Sequence, residues 1–509
     1  MKTLKTEHSV NIIKLCETFR MWPFWSKKPT APATVPTDKI IPLHKMDDTP
    51  IFRSMAFYST MRFDAVLDPE KLRGALETLL ETGDWRKLGA RLRLNDTTKK
   101  LEYHIPASFS AERPAFIYVR ERFECRIEEH ALASQLPKAS IRPTVMADTD
   151  SFEPLVRLRK DAPTRLEDWL YTDEPQLTLA IVSFEDATLV TVSWPHTLID
   201  AAGLAYLLKA WSDILSGHVE RVPAIAGFDT DPLETLGSKP IEEHVMSKWR
   251  VKGFQIFLFI INYILDIIWY PKESGRAICI PPSVFQRIKE ECATYISAAH
   301  SMHNVKLTDG DVLSALIARL MCVNLPHNNR TLSIVNVVEL RRPLAEDLLL
   351  PGKAYISNAV IGAVALTTVK DVFTQALGAT ALKVRNAIRT QRTRAQVETF
   401  MFFVQEAKGM PVLFGDGNMK MVNVTNWTGA KFYETDFSAA IVGNNVGPRS
   451  GDTVSGKPSY INVSGISNDF KRRGSAAVVG RDVLGNYWII PWIKNNEWKK
   501  VEEYISSLE

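Results

Sequence analysis

Apolar positions fall into two rhythms, one of period two and one near 3.6, and from Ile40 onward these alternate along the chain. Residues 69–82 (PEKLRGALETLLET) carry leucines at helical spacing behind a proline suited to a first turn, which predicts a helix. Trp85 to Gly89 then leads into an alternating ARLRL strand. Residues 177–184 (LTLAIVSF) and 188–194 (TLVTVSW) read as two strands joined by the turn Glu185-Asp186-Ala187. Behind the second, Leu204, Leu207, Leu208, Trp211, Ile214 and Leu215 form the single apolar stripe of an amphipathic helix. Residues 308–321 predict another helix, with Thr308 at its N-cap and Asp311 as the acid of a capping box. A strand is expected at 332–338, one or two helices at 369–391, and short strands divided by glycine and asparagine in the last third.

One run breaks the rhythm. Residues 254–270 (FQIFLFIINYILDIIWY) are the most hydrophobic stretch of the chain, at the lower end of the roughly 17–25 residues that span a bilayer. Gln255, Asn262 and Asp266 lie seven and four apart, so all three share one helical face. Such a helix can pack on the protein body, lie in a membrane interface or make a short span, and peripheral membrane contact through it stays open.

Both halves of the chain mix sheet and helix, which predicts a mixed α/β fold of two similar-sized domains. Residues 1–39 read as a loose arm rich in Lys, Pro and Thr, 40–225 as a first domain, 226–275 as a crossover and 276–509 as a second domain. A length of 509 residues suits such a division of the core. The net charge of +4, without a basic block, gives no electrostatic footprint for nucleic acid. Cys16, Cys125, Cys279, Cys292 and Cys322 are scattered and odd in number, with no C-x-x-C pair, so neither a disulfide framework nor a metal site is indicated. With no secretory signal pattern before Trp25, a cytoplasmic protein is expected, membrane association through 254–270 aside.

The chemistry concentrates in Ser193-Trp194-Pro195-His196-Thr197-Leu198-Ile199-Asp200-Ala201-Ala202-Gly203, an H-x-x-x-D followed by glycine. His196 falls on a short turn between a buried strand and a helix, a rigid mount for a catalytic group. A neutral imidazole can take the proton of an attacking alcohol and return it to a leaving group. Spacing alone leaves His196 open as a satisfied core histidine, and Asp200 as a helix N-cap or one half of a structural ion pair.

Further marks follow in order: Asp84 to Gly89 (DWRKLG), the 307–319 helix, Leu340-Arg341-Arg342, Tyr355-Ile356-Ser357-Asn358, Val424-Thr425-Asn426-Trp427 and Phe432 to Ser438. Together with H-x-x-x-D-x-x-G the chain resembles the BAHD acyltransferases, in particular their fungal secondary-metabolism branch. The resemblance implies two mixed α/β domains around a channel, related to CoA-dependent acyltransferases. It implies an acyl-CoA co-substrate, most readily acetyl-CoA, no bound cofactor or metal, a small-molecule alcohol acceptor such as a terpenoid or polyketide, and action as a monomer. His196 matches the catalytic base and Asp200 the motif aspartate, for which Arg341 is the expected ion-pair partner. Thr425 and Trp427 match a pair that holds the oxyanion of the tetrahedral intermediate, with strand packing as their ordinary alternative. Asp436 matches the first residue of D-F-G-W-G.

The chain departs from that last pattern, with Ser438-Ala439-Ala440 where Gly-Trp-Gly is usual. This opens an alternative: a catalytically silent relative that binds a small molecule or partner. The residues that would contact CoA stay unknown, since Lys306, Lys457 and Arg473 read equally well as solvated charges. Pro195 stands where peptide-condensation domains carry a second histidine, and neither G-x-S-x-G nor a glycine-rich phosphate loop is present.

Overall fold

Strands of alternating, β-branched sequence assemble into three sheets in the computed structural model, which describes residues 30–299, 305–443, 455–467 and 471–509. Most of the expected N-terminal arm, residues 1–29 with Cys16, lies outside the described residues. The first large sheet has five strands in the order Tyr460–Ser467, Met55–Phe63, Thr188–Pro195, Thr178–Ser183 and Ile117–Arg122. Its pairs are antiparallel except the last, which is parallel. The second has seven, in the order Val360–Thr368, Thr331–Glu339, Lys420–Asn426, Ser475–Arg481, Tyr487–Lys494, Glu273–Ile280 and Thr144–Asp148. The second to fourth of these run parallel and the other pairs are antiparallel. A small sheet of Lys39–Pro42, Leu101–Ile105 and Arg91–Leu94 flanks the first.

The expected helices lie where periodicity puts them, and Pro282–Ala299, Arg394–Glu406 and Trp498–Ser506 are helices beyond those expected. Pro69–Glu81 is capped by the Asp68 carboxylate and lays Leu72, Leu76 and Leu79 on the Ala201–Leu215 helix, whose Trp211 donates its indole N–H to the Leu72 carbonyl at 2.9 Å. Each such fully buried leucine contributes about 2 kcal/mol of transfer free energy. Under the second sheet, Asp309–Leu320 begins with the expected capping box, the Thr308 N–H donating to Asp311 Oδ2 at 2.7 Å. Residues 369–391 divide into two helices, Val369–Thr374 and Leu377–Gln391.

A linear division at 225 and 276 misses one feature of this architecture. Each large sheet takes a strand from the other half of the chain: Tyr460–Ser467 pairs with Met55–Phe63, and Thr144–Asp148 pairs with Glu273–Ile280. Pairing between strands so far apart in the chain leaves no trace in local periodicity. The crossover is pinned to the body. Leu233 and Leu236 are buried, and Glu398 Oε1 accepts from the backbone N–H groups of Gly237 and Lys239, both at 2.9 Å.

The Phe254–Trp269 helix touches the body, but by the side opposite to the one hydrophobicity would choose. None of its residues is buried, and the stripe of Gln255, Asn262 and Asp266 faces inward onto polar partners. No described helix is long and apolar enough to cross a membrane.

Candidate active site

The turn that carries His196 is fixed from every direction. Its own N–H donates to the Met55 carbonyl at 2.8 Å, and its carbonyl accepts from Asn358 Nδ2 at 2.9 Å. The Trp194 indole reaches across to the Ile199 carbonyl at 3.1 Å, and the Tyr103 hydroxyl donates to the Thr197 carbonyl at 2.9 Å. The imidazole stacks on Phe52, with centroids 4.1 Å apart, and meets Phe57 edge-on at 5.1 Å. Nδ1 is buried beside the carbonyls of His196 and Ile199 without an aligned hydrogen bond to either. Burial pushes the imidazole pKa below its usual 6.5, against the opposing pull of the Asp200 charge and those carbonyls. The lowered pKa favours the neutral ring at pH 7.

Asp200 makes no hydrogen bond to the imidazole. It caps the Ala201–Leu215 helix through Gly203 N–H at 2.8 Å, and it accepts two bonds from Arg341, at 2.9 and 3.1 Å, plus the Ala359 N–H at 3.1 Å. Arg341 in turn donates to the carbonyls of Tyr355 and Ser357, both at 2.7 Å. The aspartate thus clamps the histidine turn to residues 355–359, which belong to the second half of the chain. The glycine of the motif serves the same clamp, since a Cβ on Gly203 would lie 2.1 Å from the Ile356 carbonyl oxygen. Arg342 is exposed.

Thr425 and Trp427 stand two apart at the strand end and its extension, so they share a face, and the Trp427 indole N–H donates to Thr425 Oγ1 at 2.9 Å. The indole proton is spent on the hydroxyl, which leaves the Thr425 O–H as the group able to donate outward. Trp427 is itself braced edge-on by Phe432, at 5.9 Å. His196, Thr425 and Trp427 line one cleft of about 3930 Å³, well above the roughly 300–1,000 Å³ of a single-ligand pocket.

The D-F-S-A-A segment sits at the edge of this arrangement. Asp436 is exposed and closes a local turn by accepting the Ser438 N–H at 2.9 Å, while Phe437 is buried between Phe63 and Trp211. Gly456 supplies the close backbone approach here, its Cβ position lying 2.2 Å from Ser438 N. Lys306 and Lys457 are exposed, and Arg473 is committed to Asp266 and Glu273.

Several residues of the site escaped the sequence reading. Asn358 ties the histidine turn to Asp47, donating both its backbone N–H and its Nδ2 to Asp47 Oδ1 at 2.7 Å. Burial pushes the Asp47 carboxyl up to about 7, against the Lys87 amine and those two N–H groups. Lys87 is itself buried and donates to Ser357 Oγ at 3.1 Å. Burial also takes His44, bonded to the Tyr355 hydroxyl at 3.0 Å, down to about 3. Asn336 lines the cleft with a buried Nδ2 that has no hydrogen-bond partner. Lys87 and Asn358 stand inside the motifs quoted above; Asp47, His44 and Asn336 carry no such signal.

Against known proteins, the model of the transferase family matches residues 285–460. The acetyltransferase adrJ of Penicillium rubens is 36% identical over 495 residues, covering 95% of this chain and 99% of its own. A protein of Penicillium decumbens named transcriptional regulator calD is 37% identical over 486 residues, covering 94% and 98%. The two relatives are similar to this chain to nearly the same degree. Among solved structures, TRI101 of F. sporotrichioides, complexed with coenzyme A and T-2, has the same fold, with a TM-score of 0.65 at 15% identity over 91% of this chain and 97% of that one.

Proposed function

The chain belongs to the BAHD acyltransferase family and is an acyltransferase, and from that premise we propose that it moves an acetyl group from acetyl-CoA to a hydroxyl of a specialised metabolite, with His196 as general base. The observation that carries this reading is a neutral imidazole on a clamped turn, opening into a cleft wide enough for donor and acceptor together.

Nδ1 is buried beside the backbone carbonyls of His196 and Ile199, surroundings that favour a proton there, and in this reading Nε2 is the basic nitrogen. It takes the acceptor's hydroxyl proton as that oxygen attacks the thioester carbon. The Thr425 hydroxyl, oriented by the Trp427 indole, donates to the oxyanion that forms. Collapse breaks the carbon–sulfur bond, and the imidazolium returns its proton to the CoA thiolate. No covalent enzyme intermediate is needed. An apolar alcohol of the terpenoid or polyketide class suits the aromatic surroundings of the ring.

Calorimetric titration with acetyl-CoA tests the donor half without knowledge of the acceptor. Saturable binding in the micromolar range is the expected result, and silence toward acetyl-CoA and longer acyl-CoAs alike would overturn the reading. The oxyanion assignment has its own test. Thr425→Val is expected to lower kcat about 100-fold with little change in KM for the donor, as for other lost oxyanion donors. Trp427→Phe should cost less, about tenfold, since it removes the orienting bond and leaves the hydroxyl. Equal and small effects from both would assign the pair to strand packing.

A further inference from the structure

The geometry points to the outward face of the Phe254–Trp269 helix as a docking surface for an anionic lipid bilayer, on which the helix lies flat. Its polar groups are all turned the other way. Gln255 Oε1 accepts the Gly417 N–H at 2.7 Å, and Asn262 Nδ2 donates to the Gly417 carbonyl at 3.0 Å. The Tyr263 hydroxyl accepts the Lys471 N–H at 3.0 Å, and Asp266, the helix's only charge, pairs with Arg473 and Lys494 at 3.1 and 2.5 Å. Opposite this stripe, Phe254, Phe257, Ile264, Leu265 and Ile268 are exposed side by side, at 71, 50, 38, 38 and 64%. A soluble helix normally reverses this arrangement, keeping its apolar stripe against the body.

Length, area and charge select the occupant. Sixteen residues of helix reach about 24 Å, short of the roughly 30 Å hydrocarbon core, so the segment lies in an interface and does not span it. One face of such a helix, about 10 Å wide, offers a footprint of a few hundred Å², against the roughly 800 Å² per partner of a stable dimer. That argues against a second copy of the chain. The ends are dressed for a headgroup layer. Exposed Lys248 and Lys252 precede the helix and exposed Lys272 follows it. Trp249, Trp269 and Tyr270 are exposed beside them. Aromatic rings favour the level of the headgroups, and lysines there draw on anionic lipid. The same helix borders the cleft. If the proposed acyl transfer holds, an apolar alcohol dissolved in the bilayer enters the site beside its source, but the docking itself does not depend on that reading.

Flotation of the full-length protein with vesicles tests it, one set of phosphatidylcholine alone and one with added phosphatidylserine. The expected result is recovery with the anionic vesicles about tenfold above the neutral ones at low salt, the difference shrinking as salt screens the lysines. The double variant Ile264→Ser/Ile268→Ser is expected to lose about tenfold of that binding. Both side chains are exposed, so folding, followed by circular dichroism, should not change. Ile141→Ser, at an exposed position elsewhere, is expected to bind as the parent does. Protein that stays soluble with both vesicle sets overturns the proposal, as does binding that the double variant leaves intact. A concentration-dependent dimer abolished by the double variant, without vesicle binding, would assign the face to a second copy and equally overturn it. The readout is lipid binding, so a failure here is separate from failure of the acyl-transfer reading.

Discussion

His196→Ala is expected to lower kcat by about three orders of magnitude while leaving the affinity for acetyl-CoA within a few-fold of the parent, because general-base catalysis accounts for roughly 10²–10⁴ of rate. Initial rates of CoA release with a turned-over alcohol, and calorimetry on the same variant, would check the two halves of that statement. Turnover at the parental rate would remove the histidine from the mechanism. The pH profile carries a sign as well. Burial holds the imidazole pKa below 6.5, so the free enzyme keeps its base deprotonated through neutral pH. The acid limb of kcat/KM should therefore fall below 6.5, as the ring protonates and the rate is lost. An acid limb above that value would mean that the titrating group is another one or that the ring is solvated.

The second large effect concerns stability. Asp200→Ala removes at once a helix cap, a bidentate ion pair and the acceptor for the Ala359 N–H, and it leaves the Arg341 guanidinium with two carbonyls and the Glu339 carboxylate at 3.2 Å as its remaining partners. Loss of one partner from a buried pair costs about 3–5 kcal/mol, expected as a lower midpoint in urea. Arg341→Met should cost less, because the Gly203 and Ala359 N–H groups still hold the carboxylate. The double variant should fall short of the sum of the two singles, the mark of a shared interaction. A well-folded Asp200→Ala protein that has lost only its activity would move the aspartate from clamp to chemistry.

What could be read in advance divides along physical lines. Elements with strong local rhythm, such as Pro69–Glu81 and the hairpin of Thr178–Ser183 and Thr188–Pro195, were legible because side-chain alternation is set by backbone geometry. The histidine turn was legible because strand, turn and helix signals meet there within a dozen residues. The Asp47–Asn358 bond was not, since its partners lie 311 residues apart and only Asn358 stands in a motif, while Asp47 looks like an ordinary surface polar residue in sequence. The stripe of Gln255, Asn262 and Asp266 was visible as a stripe, but not the direction it would face. Periodicity gives the relative angle of side chains around a helix and says nothing about which side meets the body.

The exchange of strands between the two sheets sets an order on biosynthesis. On the ribosome, the Met55–Phe63 strand emerges early and waits with one edge unpaired until Tyr460–Ser467 has been made, some four-fifths of the chain later. Contacts of such long sequence separation close slowly and leave a sticky edge open to other nascent chains meanwhile. The two halves are for this reason poor candidates for separate expression, and the yield of folded protein depends on how well that early edge is shielded while translation finishes.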